Sequence, residues 1–230
     1  KSYTMRYVSM TEQQLKMYNE IRHEALTMLD NGELITTQNI MTQMLRLQQV
    51  LSGHLTTDNG DLVQVDTKRI QAVLDIIDET EGKVLIWSRF RNDIQQLQES
   101  LSKKFPNQVA CYYGDTPDSE RQDIVTEFQD PDSRLRFFIG NPQTAGYGLT
   151  LTEANTVIYY ANDFNLETRI QSEDRCHRIG QKNPVTYIDL ITNDTIDETI
   201  VKALRNKIDL GAKVLKEEAR QWLKITPSKY

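Results

Sequence analysis

"KVLIWSRFRNDIQQLQESLSKKFPNQVACYY", residues 83–113, sets two compact apolar runs, 83–87 and 109–113, on either side of a helical stretch from about Arg91 to Lys103. Strand, helix and strand at that spacing read as a crossover unit, the connection that parallel strands need. The pattern continues through "LRFFIG" (135–140), "TVIYYA" (156–161) and "VTYIDLI" (185–191), with helical patterns at 118–128 and 165–178. Such alternation predicts an α/β fold, a mostly parallel sheet covered by helices on both faces.

Upstream the texture differs. Leu15, Tyr18, Ile21, Ala25 and Leu29 recur at helical spacing behind a capping Thr11 and before the stop Asn31-Gly32, and Ile40, Met44, Leu47 and Leu51 mark a second helix from about Thr37. A polar loop, "SGHLTTDNGDLVQVD" (52–66), follows, then a helix from about Thr67 to Thr80. Residues 1–66 are therefore expected to be a helical linker segment and 67–230 an α/β lobe, closed by a helix running from about Ile196 into the 220s.

Composition narrows the class. The 230 residues suffice for one larger domain or a domain with a helical extension. The longest apolar runs fall far short of the ~20 residues that span a bilayer, and "KSYTMRYVSM" lacks the apolar core of a signal peptide, so no membrane contact and a cytosolic or nuclear compartment are expected. Cys111 and Cys176 form neither a disulfide framework nor a metal-ligand spacing. A net charge of −6 confines any nucleic-acid contact to a local patch. The chain begins at Lys1 rather than methionine, which suggests a piece of something longer.

In open parallel sheets ligands gather at the carboxyl ends of strands, where helix N-termini and free backbone donors converge. There "GNPQTAGYGLT" (140–150) supplies Gly140, Gly146 and Gly148, either as a phosphate cradle or as a turn that needs glycine, and Thr144 is its most suggestive polar residue. Neither G-x-x-x-x-G-K-[ST] nor G-x-G-x-x-G occurs in it. Arg89 and Arg91 flank Phe90 after the first run, as phosphate contacts or as an ordinary polar strand end, while Trp87 and Tyr112 read as core. In "QSEDRCHRIGQ" (171–181) a helix at about 100° per residue would line up Gln171, Arg175 and Arg178 roughly opposite Leu166 and Ile170, with His177 packed near those two. The arginines suit a phosphate or carboxylate; equally, they could form a solvated face with Asp174 and Arg178 paired at i, i+4.

In order along the chain, these pieces resemble the second motor lobe of Swi/Snf-type, superfamily-two helicase-like ATPases. "KVLIWSRF" is similar to motif IV, "YYGDTPDSERQDIVTEFQDP" to the block that follows it, with Arg121 on its helix, "GNPQTAGYGLTLTEANTVIYYANDFN" to motif V and "QSEDRCHRIGQKNPVTYIDLIT" to motif VI. "SMTEQQLKMYNEI" and "MLRLQQVLSGHL" resemble the helical linker between the lobes. The resemblance thus covers almost the whole chain, with Gly146-Tyr147 standing where relatives often have two glycines.

The resemblance implies a RecA-like, P-loop NTPase-type sheet and a machine that hydrolyses ATP between two lobes while moving along nucleic acid, usually duplex DNA. Gln171, Arg175 and Arg178 match the cleft-facing motif VI positions, the arginines reaching the γ-phosphate on closure; Gly146 and Gly148 would lie on the nucleotide side. Mg²⁺ and most ATP contacts would belong to the N-terminal ATPase lobe, whose Walker A lysine and acidic box are not in these residues. Arg89, Thr144 and Gly146 are the expected DNA contacts. The chain alone would then be inactive. A non-catalytic nucleic-acid-binding or protein-interaction module is the competing expectation. The lack of long insertions suggests a bacterial or phage source and a cytoplasmic site, nuclear in a eukaryote.

Overall fold

The strand β4 (Lys83–Ser88) is buried along its whole length, as expected of an apolar run at the centre of a parallel sheet. In this computed structural model residues 1–31, 36–144, 148–208, 210 and 216–227 are described. Before β4 come β1 (Ser2–Tyr7), α1 (Glu12–Asp30), α2 (Thr37–Ser52), β2 (His54–Thr56), β3 (Leu62–Gln64) and α3 (Arg69–Asp78). After it come α4 (Arg91–Lys104), β5 (Val109–Tyr112), α5 (Asp118–Gln129), β6 (Phe137–Gly140), β7 (Ala154–Ala161), α6 (Leu166–Asp174), β8 (Thr186–Ile191), α7 (Ile196–Arg205) and α8 (Lys216–Lys224).

Contacts sort the chain into an α/β unit, residues 1–6, 70–163 and 167–190, and a helical unit, residues 7–69, 164–166 and 191–230. The α/β unit is built on a six-stranded sheet in the order β1-β8-β7-β4-β6-β5. β4 runs parallel to both β6 and β7, β5 to β6, and β7 to β8. This is the expected RecA-like α/β fold. Leu85, Trp87, Phe128, Phe138, Val157 and Tyr159 form one core of the unit, so Trp87 and Tyr112 are buried as anticipated.

The helical unit opens with α1, whose capping box is complete: Gln14 N–H donates to Thr11 Oγ1 at 3.1 Å and Thr11 N–H to Gln14 Oε1 at 3.0 Å. Tyr18, Ile21, Ala25 and Leu29 then face a core shared with Met44, Leu47, Ile196, Ile200 and Leu204. A buried ion pair between Arg69 and Asp197 sits in the same unit. The division expected from sequence, 1–66 and 67–230, follows chain order; side-chain packing instead gathers 191–230 with the first helices.

Four local expectations need correction. Residues 2–7 form the edge strand β1, Ser2 N–H donating to Val185 O at 2.9 Å and Val8 N–H to Ile191 O at 2.8 Å; its pairing comes from the far end of the chain, beyond any local pattern. The polar loop 52–66 holds the antiparallel hairpin β2–β3, pairing His54 with Gln64 and Thr56 with Leu62. Among the described residues the closing helix is interrupted, α7 ending where Asn206 and Lys207 turn, the latter at φ +57°. Helix α6 stops at Asp174 instead of continuing to 178.

Gly140 closes β6 where space is tightest: a Cβ there would lie 2.8 Å from the Trp87 ring and 3.0 Å from the Tyr112 carbonyl oxygen. Gly140→Ala should therefore cost about 1–3 kcal/mol through overpacking, read as a lower urea midpoint with an unchanged m-value.

Candidate functional site

Strands β4, β6 and β7 are neighbours and end at Ser88, Gly140 and Ala161, which brings Arg89, Asn141–Thr144 and Asn162-Asp163 together at the carboxyl edge of the sheet. Asn141 ties the first two loops. Its Nδ2 donates to Arg89 O at 2.9 Å, and its Oδ1 accepts from Gln143 N–H at 2.8 Å and Thr144 N–H at 3.2 Å. Gln143 Nε2 donates to Asp163 Oδ2 at 2.6 Å, joining the third loop. Below Arg89, the buried Ser88 hydroxyl donates to Asp93 Oδ2 at 2.6 Å and fixes the entry into α4. Arg91 pairs with Asp115 on the next loop.

The arrangement gathers Arg89 and Thr144, two of the expected DNA contacts. Gly146, the third, lies outside the described residues. Arg89 is half-buried over the Phe90 ring, 5.4 Å from its centroid. Burial lowers its pKa and Asp163 opposes that, so the carboxylate helps keep the guanidinium charged at the sheet edge. Asn141 and Asp163 had no assigned role from sequence; "GNP" and "ANDFN" marked the loops only.

The motif VI arginines lie at the other edge. The segment from Gly148 to Thr152 leads into β7, whose eight residues at about 3.3 Å each put ~25 Å between its ends. Leu151 N–H donates to Arg175 O at 2.9 Å, and Gln181 Nε2 donates to the carbonyls of Thr152, Ala154 and Cys176 at 2.8, 3.1 and 3.1 Å. Arg178 Nη1 reaches Thr150 Oγ1 at 3.4 Å. Gly148, at φ +106° with open space around it, is a position where only glycine is unstrained. Gly148, Arg175 and Arg178 are thus brought together; Gln171 is turned back along the helix, donating to Glu167 Oε1 at 2.8 Å.

The helical-wheel reading of this stretch is overturned. Arg175 and Arg178 follow the helix: Glu173 O still accepts from Cys176 N–H at 3.2 Å and His177 N–H at 3.1 Å, with the Tyr187 hydroxyl added at 2.9 Å, but Arg175 O is taken by Leu151 and Cys176 O by Gln181. His177 is exposed, not packed. Ile170 is 46% exposed, and the buried face of α6 is Arg169 and Ser172. Asp174 does not pair with Arg178; it lies 3.6 Å from Lys1 Nζ. Arg175, largely buried, has its pKa lowered by burial and by the Arg178 charge, with Asp174 opposing.

Between the two edges lies a buried polar cluster. Arg169 Nη1 donates to Asp189 Oδ1 at 2.5 Å and to Asn162 Oδ1 at 2.6 Å, Nη2 to Asp189 Oδ2 at 3.3 Å, and Nε to Glu173 Oε1 at 2.9 Å. Asn162 Nδ2 returns a bond to Asp189 Oδ1 at 3.0 Å. The guanidinium stacks 3.5 Å above the Tyr159 ring, whose hydroxyl meets Ser172 Oγ at 2.7 Å. Glu173 Oε2 also accepts from Tyr3 at 2.6 Å and Lys1 at 3.3 Å. Burial opposes the charge on Arg169, but the attraction of Tyr159 and Asp189 and the hydrogen bonds to Asp189 and Glu173 outweigh it, and its pKa is raised. The clue was Asp189 itself, a carboxylate inside the apolar run 185–191, since a charge there requires a buried partner.

Burial pushes the Cys111 and Cys176 thiols up to about 12, leaving both inert at neutral pH. Among the described residues no group of three or more His, Cys, Asp or Glu could hold a metal ion, and no helix is long and apolar enough to cross a membrane.

The six-stranded RecA-like sheet with its helices is the fold of the C-terminal lobe of Snf2-type helicase-like ATPases. Residues 68–180 match the family described as the helicase conserved C-terminal domain, and the chain belongs to its Swi/Snf-type branch. It is 25% identical over 228 residues to the mouse SWI/SNF-related matrix-associated actin-dependent regulator of chromatin subfamily A member 1, covering 92% of this chain and 21% of that one. It is 32% identical over 159 residues to the transcription regulatory protein SNF2 of Saccharomyces cerevisiae, covering 68% of this chain and 9% of that one. The chain therefore spans about a fifth or less of these relatives. In fold it is similar to the C-terminal part of the Fun30 ATPase domain, with a TM-score of 0.73, 21% identity and coverage of 97% and 96% of the two chains. It is also similar to the Sulfolobus solfataricus SWI2/SNF2 ATPase core in complex with dsDNA, with a TM-score of 0.77, 24% identity and coverage of 97% and 50%. These relatives lend no support to a bacterial or phage source.

The Glu173 carboxyl is opposed by burial, yet hydrogen bonds from Tyr3 and Arg169 hold it below the usual carboxylate range. A depressed native pKa means stabilisation that is complete above the unfolded value, about 4.3, and lost as pH falls below it through the native value. Urea unfolding of the chain should show this loss, and Glu173→Gln should flatten it.

Proposed function

We propose that this chain is the second motor lobe of an ATP-dependent translocase acting on duplex DNA, supplying Arg175 and Arg178 to ATP held on an N-terminal lobe. The observation that carries the reading is the arginine pair. Two guanidiniums sit close enough to repel, the acid four residues before Arg178 is engaged with Lys1, and among the described residues no carboxylate forms an ion pair with Arg178. An exposed guanidinium such as Arg178, beside a like charge, favours an anion.

The γ-phosphoryl group during transfer is such an anion: charge spreads over its equatorial oxygens, and positioned cations that meet it in the transition state supply most of the catalysis. Arg178 is exposed and can reach across to a partner lobe, while Arg175 stands behind it, largely buried. Mg²⁺ would be held chiefly by the N-terminal lobe. At the other sheet edge Arg89 and the Thr144 turn would hold DNA phosphates, with little sequence preference. Closure would then bring the arginines to ATP while the carboxyl edge grips the duplex.

In the complete protein, Arg178→Ala should lower DNA-stimulated turnover by about 10³–10⁵ with little change in ATP affinity, because an interaction made chiefly in the transition state is lost. Lysine should rescue poorly, since one ammonium does not reproduce the planar fork. A loss under about threefold, less than ~1 kcal/mol, would leave Arg178 a solvated charge and sink the reading.

Arg89→Ala should weaken DNA binding by a similar factor for any sequence and reduce the slope of log K against log salt by about 1, measured by salt titration of fluorescent duplexes.

A further inference from the structure

Arg169 touches both halves of the site described above without belonging to either. On one side it holds Asn162, whose neighbour Asp163 accepts from Gln143 at 2.6 Å and draws Arg89 at the carboxyl edge. On the other it holds Glu173, two residues before Arg175, at 2.9 Å. Between them Asp189 of β8 takes two of its donors, and the Tyr159 ring of β7 lies beneath it. The guanidinium is 7% exposed, so water does not compete for these bonds.

The local consequences run in both directions. Glu173, one turn along α6 from Arg169, stands at the end of the helix: its carbonyl accepts from Cys176 N–H, His177 N–H and the Tyr187 hydroxyl, and its carboxylate from Arg169, Tyr3 and Lys1. Where Glu173 sits determines where Arg175 O meets Leu151 and how far Arg178 stands from Thr150. Asn162 receives Arg169 through its side-chain oxygen while giving its amide to Asp189, so the loop after β7 is locked to the same guanidinium. No aliphatic side chain could hold three elements at once, and a planar fork with five donors can.

We propose that Arg169 is a positioning residue for the phosphate-binding arginines, a buried brace that holds the segment 175–178 in fixed register with the loop 162–163 at the DNA-facing edge. The proposal rests on the phosphate role of Arg178 given above. It differs from a purely structural role in acting through Arg178: losing the brace should misplace the arginines while leaving the sheet folded. Misplacement on the order of 1 Å costs about 10²-fold in rate.

The test uses the complete protein, with first lobe and duplex DNA, and compares Arg169→Lys, Asp189→Asn, Arg178→Ala and the double variant Arg169→Lys/Arg178→Ala. Asp189→Asn preserves shape and stands in if Arg169→Lys does not fold. Turnover at saturating DNA and ATP, KM for ATP, DNA affinity and unfolding midpoint are measured for each. The expected result is that Arg169→Lys lowers kcat about 10²-fold, with KM for ATP and DNA affinity within about threefold of the parent. Once Arg178 is gone, removing the brace should cost far less rate than it does in the parent, because only Arg175 is left to misplace. A normal kcat in a folded but less stable Arg169→Lys and Asp189→Asn would overturn the proposal, as would losses that multiply in the double variant. An Arg178→Ala protein with near-parental turnover would overturn the phosphate reading and the brace with it, an outcome distinct from the other two.

Discussion

The buried pair of Arg169 and Asp189 is the constraint on which the arrangement of the α/β unit turns. Removing one partner of such a pair strands the other and costs about 3–5 kcal/mol, whereas replacing both by well-packed apolar side chains is often neutral or better. Stability alone therefore does not account for it. Geometry accounts for it better: Asp189 accepts at both oxygens, Asn162 and Glu173 take the remaining donors, and Tyr159 fixes the plane. A helix seated by packing could slide or rotate by fractions of a turn. One seated by a five-donor fork has a single register.

That register matters because the sheet separates two kinds of chemistry. Arg89, Asn141 and Asp163 occupy the ends of β4, β6 and β7, and Arg175 and Arg178 are tied to the segment that begins β7. A β-strand buried on both faces is a stiff connector, since its neighbours fix it by hydrogen bonds on both sides. A displacement at one edge is therefore carried to the other as a rigid shift. In the proposed motor this is what makes grip on DNA and contact with ATP interdependent.

Much of this was legible in the sequence, and the gaps have physical causes. The strands β4 to β8 were found because parallel strands read as continuous apolar runs, and α1 because Thr11 and its apolar stripe are local signals. β1 was missed because an edge strand has no apolar run, and its partner, β8, lies at the far end of the sequence. The end of α6 was missed because Leu151 and Gln181, which take the carbonyls of Arg175 and Cys176 just beyond it, lie far from α6 or past its end and leave no cap residue to read. Arg175 and Arg178 were picked out correctly as neighbours, though through a helix that stops short of both. Arg169 escaped because an arginine amid polar residues reads as surface, and only the carboxylate in β8 betrayed it.

The pair at 175 and 178 also shows how an acidic protein can bind a polyanion. A net charge of −6 repels phosphate at long range, but beyond about 8 Å in physiological salt that repulsion is largely screened. Within that distance local arrangement decides. Arg175 is partly desolvated and feels the like charge of Arg178, both of which disfavour its charged form and would favour an anion beside it. In the proposed motor, cations positioned to meet the charge spread over the transferring group's oxygens in the transition state would turn binding energy into rate instead of affinity.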